Sequence, residues 1–323
     1  MKMKQSAIIY AMAALALTAC SNDENLDNLN GPVELRLTNG LEVQTRATHG
    51  LDDKLKNGEN VHVWMDDAGN SSELYTNNTL TAGDNGTLTG GTIMYFPETG
   101  NAVDIYAIHG NFAADADFTN FWGTEQSHTV AQDQKSSSSG YAKSDLVYAN
   151  SANVARSGNP TTANLTFEHL LSKVEVVLVR GEGSPSIAKV EILNTQLEAK
   201  FTPSKTENFT ITSSGVLDQS NPIDIDTDLT SKTNANGTDE SKKQLNEAII
   251  VPQTLTAGTE FIRVTTTTGG VLVYKIPAGG KTFDKGKKYR YTVTANLTEL
   301  EVTATITPWT PETGDDNGVA EME

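Results

Sequence analysis

The chain has 323 residues, 37% hydrophobic side chains and a formal charge of −17. That acidic balance repels phosphate backbones and anionic lipid surfaces, so nucleic acid is excluded as a partner. Cys20 is the only cysteine, which excludes an intrachain disulfide and a thiolate-built zinc site.

Lys2 and Lys4 precede an apolar run from Ala7 to Ala19 that is too short to span a bilayer. It ends in Leu17-Thr18-Ala19-Cys20, which resembles the lipobox of bacterial lipoproteins. The resemblance implies removal of residues 1–19 as a signal peptide and acylation of the Cys20 thiol. The plainer alternative is an ordinary signal peptide with an incidental cysteine. Ser21-Asn22-Asp23-Glu24 resembles the acidic tether that exports lipoproteins to the outer face in Bacteroidetes-type bacteria; a solvated linker is the alternative. Residues 20–32 are polar and aperiodic, as in a flexible tether.

Val33, Leu35, Leu37, Leu41 and Val43 share one parity, with Asn39 as the polar exception. Asn39-Gly40 looks like a hairpin turn. A two-residue loop there would set Arg36 opposite Val43 and Glu34 opposite Thr45, mixing polar and apolar side chains on one face. Strand period two penalises that register. One continuous strand, kinked at Gly40, keeps the apolar side chains together. It ends at Thr45-Arg46-Ala47, so residues 33–46 form one element with a basic exit.

Short alternating segments follow. Val61, Val63 and Met65 form one, Ile93 to Phe96 another, and Val103, Ile105 and Ala107 a third. Ser151 to Thr162 is the best linker, dividing an N-terminal domain (47–163) from a C-terminal one (164–309). Phe167 to Val174 has helical apolar spacing for about one turn and runs into a strand from Val174 to Val179. Ile187 to Leu193 is expected to pair with that strand. A Thr268-Gly269-Gly270 loop pairs Thr266 with Leu272, Val264 with Tyr274 and Ile262 with Ile276. A loop at Thr298-Glu299 pairs Ala295 with Val302, Val293 with Ala304 and Tyr291 with Ile306. Trp309 caps that face, and 310–323 is an acidic tail. The alternation and the paucity of helix-forming runs predict an all-β fold of two β-sandwich domains.

No catalytic constellation stands out. The five histidines form no close pair, and G-x-S-x-G and phosphate-loop motifs are missing. His169 lies among apolar residues and reads as a packed, hydrogen-bonded histidine. Asp224, Asp226 and Asp228 resemble the start of a calcium loop. Leu229 and Ala235 occupy the positions that need glycine and glutamate. Alternation with Ile223 and Ile225 fits an acidic-faced strand better. Phe121-Trp122 is a sugar platform or a loop anchor, the anchor being the usual outcome. No cofactor, metal or enzymatic activity is expected.

The lipobox, Thr45-Arg46-Ala47, the block "FEHLLSKV" (167–174), and "FDKGKKYRYTVTANL" leading to "ATITPW" together resemble the fimbrillin-like proteins of Bacteroidales. These are type V pilus subunits and related surface lipoproteins, and the resemblance implies transthyretin-like sandwich domains. It also implies an outer-membrane lipoprotein anchored through Cys20 and cut after Arg46, leaving Ala47 as the new terminus. Release of the strand carrying Val33, Leu35, Leu37, Leu41 and Val43 would open a groove for strand exchange with other pilus subunits. Stalk subunits of the family donate a C-terminal strand. Here Leu300 to Ile306 pairs within its own domain and the tail lacks an alternating run, which suits a tip or accessory subunit. A permanently anchored lipoprotein that binds a glycan or a host or bacterial surface protein is the alternative.

Overall fold

The computed structural model describes residues 31–41, 54–181, 183, 186–205, 209–214, 221–296 and 300–309. The first half supplies β1 (Glu34–Leu41), β2 (Asn60–Asp67), β3 (Glu73–Ala82), β4 (Thr87–Thr89), β5 (Met94–Tyr95), β6 (Val103–His109) and β7 (Gln126–Thr129). The short helix α1 (Gly140–Ser144), β8 (Val147–Val154) and β9 (Thr161–His169) complete it. All of these strands except β7 join one eight-stranded sheet in the order β4-β3-β2-β6-β8-β9-β1-β5. Because β4 also pairs with β1, the sheet closes into a ring. Closure removes the exposed edges that an open sheet would present.

The second half supplies β10 (Ser172–Arg180), β11 (Ile187–Ile192), β12 (Glu198–Phe201), β13 (Thr212–Ser214), β14 (Ile223–Ile225) and β15 (Leu229–Thr230). After α2 (Lys232–Ala235) come β16 (Asn246–Ile250), β17 (Gln253–Leu255), β18 (Glu260–Thr266), β19 (Val271–Lys275), β20 (Lys281–Phe283), β21 (Lys287–Ala295) and β22 (Leu300–Pro308). Strands β15, β10, β21 and β22 lie in order, with β16 also on β10; a second sheet runs β14-β11-β18-β19. The chain is thus nearly all β, as its alternation predicts.

The two halves are joined by pairing as well as packing. β12 from the second half pairs with β7 of the first. Buried apolar residues from both halves form one continuous cluster. Phe121 is fully buried and stacks on Trp64, with ring centroids 4.9 Å apart. Phe121-Trp122 is therefore a loop anchor, as its sequence context favours. β10 is buried on both faces. On its polar face Lys173 Nζ lies 2.6 Å from Glu247, and Arg290 lies 2.7 Å from Glu175. Mutual pairing is what makes charges tolerable at such depth.

Four sequence-based expectations need correction. Phe167 to Val174 is not helical. Phe167 and His169 end β9, Leu170 and Leu171 form the corner, and β10 starts at Ser172. Two strands meeting at a tight corner imitate helical spacing, because a strand buried on both faces has no alternation to oppose it. Second, Ile187 to Ile192 pairs with β14 and β18, not with β10; β10 takes β21, β16 and β15 instead. Third, both C-terminal hairpins are displaced by two residues. Val264 faces Leu272 and Ile262 faces Tyr274, while Ala295 faces Leu300 and Val293 faces Val302. An even displacement leaves each inward side chain inward, so the faces hold while the partners change. Fourth, the segment read as a linker contains the end of β8 and the start of β9, which are neighbours in one sheet. A boundary after residue 163 falls inside β9.

His128, on β7, is fully buried. Its Nε2 donates to the Ser144 carbonyl at 2.9 Å, and its Nδ1 accepts from the Asn111 N–H at 2.9 Å. Burial pushes its pKa down to about 4. An unfolded histidine titrates near 6.5. Between those values the unfolded chain binds the proton and the folded chain does not. The stability due to neutral His128 is therefore complete above pH ~6.5 and is lost as pH falls toward about 4. Denaturant titrations of wild type and His128→Gln between pH 6 and 4.5 should differ in slope by up to about 1.4 kcal/mol per pH unit, wild type being the steeper. Equal slopes would refute this assignment.

Candidate functional site

β1 is one unbroken strand through Gly40, with no hairpin at Asn39. Its inward residues Leu35, Leu37 and Leu41, and Val33 just ahead of it, are between 0% and 4% exposed. Its outward residues are polar. Glu34 and Arg36, two residues apart on that face, pair at 2.9 Å. The Arg36 guanidinium holds the Glu34 carboxyl below its usual pKa, although both groups are open to solvent.

The strand is held differently along its two edges. On one side Leu35 to Leu41 runs parallel to Thr161 to Phe167 of β9 without interruption. On the other side the partner changes. Glu34 and Leu35 pair with Tyr95 and Met94 of β5, whereas Leu37 and Thr38 pair with Leu88 and Thr87 of β4. Between β4 and β5 the chain swings away through Gly90 and Gly91, which have φ of +84° and +65°. That conformation is open to glycine and strained for other residues. The gap leaves a cavity of about 440 Å³ beside β1, lined chiefly by Leu35, Leu37, Leu80, Leu88 and Met94. Ile93 lines it too and is 58% exposed.

The start of β1 is pinned separately. The Phe96 N–H donates to the Val33 carbonyl at 3.0 Å. The Glu34 N–H donates to Asn159 Oδ1 at 3.3 Å, next to the cis Asn159–Pro160 bond. Near its other end, Asn39 bonds to Leu55 and Gly86. β1 therefore touches β9, β4, β5, the β8–β9 connection and the chain after residue 54.

Of the sequence-predicted site residues, the structure brings Val33, Leu35, Leu37 and Leu41 together on one buried face. Val43, Arg46, Ala47 and Cys20 lie outside the described residues. The partners β9, β4 and β5 were not foreseen. The signal for β9 is present as alternation, since Thr161, Ala163, Leu165, Phe167 and His169 all point inward. The spurious helical spacing at its end obscured it.

Other candidate residues have structural roles. His169 is buried, its Nδ1 lies 2.9 Å from Asp145 Oδ1, and its ring stacks on Trp309 at 3.7 Å. Asp224 lies on β14 between buried Ile223 and Ile225, with Lys189 at 3.0 Å and Lys135 at 3.6 Å. Among the described residues, no group of three or more His, Cys, Asp or Glu side chains could hold a metal ion.

Known proteins place this architecture. A candidate fimbrium subunit of Bacteroides uniformis, Fim1C, is 28% identical over 97% of this chain and 97% of its own. A crystal structure of a candidate cell adhesion protein from Bacteroides uniformis superposes with a TM-score of 0.58 at 22% identity. That match covers 86% of this chain and 99% of the other. A candidate cell adhesion protein from Bacteroides ovatus gives a TM-score of 0.59 at 14% identity, over 87% and 99% of the two chains. These similarities establish a shared fold. The sequence profile of the fimbrillin-like family matches residues 45–309, from the segment after β1 through to Trp309. The chain belongs to the fimbrillin-like family.

Proposed function

We propose that this chain is a structural and adhesive subunit of a cell-surface fimbrium, without enzymatic activity. In this reading it is made as a lipoprotein anchored to the outer membrane through Cys20. Cleavage after Arg46 then frees the lipid together with β1, and other subunits join by strand exchange. The observation that carries the reading is the position of β1. It is the strand that closes the first sheet, and it lies just ahead of residue 45, where the family match begins.

The physical consequence of losing β1 supports the assembly step. Departure exposes the seat of four aliphatic side chains, and burying each is worth about 1.5–3 kcal/mol. It also leaves ladder groups of β9, β4 and β5 unpaired, an edge that accepts another strand. A vacated seat with both features is a strong acceptor.

The other terminus supports a tip or accessory position. β22 pairs with β21 from Leu300 to Pro308, and Trp309 beyond it is 1% exposed with its N–H bonded to the Gly286 carbonyl. A strand tied into its own sheet in this way is a poor donor.

Two experiments test the proposal. N-terminal sequencing of protein shed from native cells should give Ala47, and an Arg46→Ala form should stay anchored. A start at Cys20 in all material would overturn the cleavage step and favour a permanently anchored receptor. Cysteines placed at Thr292 and Thr303, which face each other across β21 and β22, should link within one chain even in assembled fibres. Links between chains would show that the last hairpin is exchanged.

A further inference from the structure

Four residues of β1 point inward, as does Val33 just ahead of it, and one of these five is polar. Asn39 is 5% exposed, among Val33, Leu35, Leu37 and Leu41. Its side-chain amide makes two directed bonds. Oδ1 accepts the Leu55 N–H at 2.8 Å, and Nδ2 donates to the Gly86 carbonyl at 2.9 Å. The Asn39 backbone N–H donates to the same carbonyl at 2.7 Å. The orientation of the amide is forced, because a backbone N–H can only donate and a carbonyl can only accept. Gly86 is held close. Its φ is +78°, and a Cβ there would stand 3.1 Å from the Asn39 carbonyl oxygen.

The Leu55 N–H and the Gly86 carbonyl belong to the seat rather than to the strand. They remain when β1 leaves. We propose, resting on the strand-exchange reading above, that these two groups form a polar subsite that selects inserting strands carrying one amide side chain among their inward aliphatic residues. A leucine at that position leaves the Leu55 N–H buried without an acceptor. Such orphaned donors are rare and costly. An aspartate satisfies Leu55 but sets a carboxylate oxygen against the Gly86 carbonyl. Only an amide of this length answers both groups.

The subsite also sets register. A slip of the strand by two residues keeps every inward side chain inward, so apolar contacts alone do not forbid it. It would move Asn39 away from both partners and put an aliphatic side chain there. A buried amide thus discriminates where aliphatic pockets cannot, because a missing methylene costs little and an unpaired polar group costs much.

The consequence for partners is specific. β22, the last strand among the described residues, carries Leu300, Val302, Ala304 and Ile306 on one face and Glu301, Thr303, Thr305 and Thr307 on the other, with no amide on either. β22 of a second copy is therefore no match for the subsite. The occupant is an alternating aliphatic strand of a different subunit, with an asparagine at the position equivalent to Asn39.

The test uses the full chain cut after Arg46 by an arginine-specific protease. Fluorescent peptides spanning residues 32–46 are offered in excess, with Asn39, Asn39→Leu or Asn39→Asp, and exchange is read by anisotropy. The asparagine peptide should enter. The leucine and aspartate peptides should bind at least tenfold more weakly, although leucine offers more apolar area. Either variant binding as tightly as the asparagine peptide overturns the subsite. An asparagine peptide that never enters overturns strand exchange itself, and the subsite as a selector with it.

Discussion

The structure depends on one closing strand. A β-sheet has edges, and an edge exposes N–H and C=O groups that seek partners. In the first half of this protein that requirement is met by β1, which lies between β9 on one side and β4 and β5 on the other. The same strand plugs the apolar interior with Val33, Leu35, Leu37 and Leu41. Backbone pairing and apolar burial thus rest on a single short segment near the start of the chain. The exposed Glu34–Arg36 pair adds little, because solvent screens it. A segment held mainly by its neighbours' needs can be exchanged for another that meets the same needs. That property underlies the proposed assembly.

Much of the rest of the molecule is held by contacts that do not involve β1. β12 from the second half pairs with β7 of the first, outside the ring that β1 closes. An aromatic cluster around Trp64, Phe118, Phe121 and Trp122 packs the first half independently of β1. In the second half, Phe261 and Tyr274 meet Tyr291 between the two sheets, at centroid distances of 5.5 and 5.7 Å. The charges around Lys173 and Glu175 are mutually paired beside this core. None of these contacts passes through β1.

At the hairpins, the face a residue occupies and the partner it meets are set by different things. Parity assigned Tyr291, Val293, Ala295 and Val302 to one buried face, and all four are buried. The partners differ by two residues because each turn is centred one residue earlier in the chain than the expected loop. Alternation reports which face a residue occupies and does not locate the centre of a turn. The false helix at Phe167 has the same origin. Local spacing there is compatible with two periods, and the choice was made by β10 being covered on both faces.

The candidate site divides along the same line. The continuity of β1 across Asn39-Gly40 follows from the amino-acid order alone, since a hairpin would place polar side chains in the core. So does the choice of Val33, Leu35, Leu37 and Leu41 as its buried set. The identity of its partners does not follow. β9 begins more than a hundred residues later in the chain, and nothing local to either strand names the other. Asn39 shows the difference most clearly. From sequence it is an exception to an apolar pattern, because period and polarity are properties of the strand itself. Only the tertiary structure supplies the Leu55 N–H and the Gly86 carbonyl that turn the exception into a directed contact. Hydrogen-bond geometry is set by where distant backbone segments meet, and that is decided by the closed sheet.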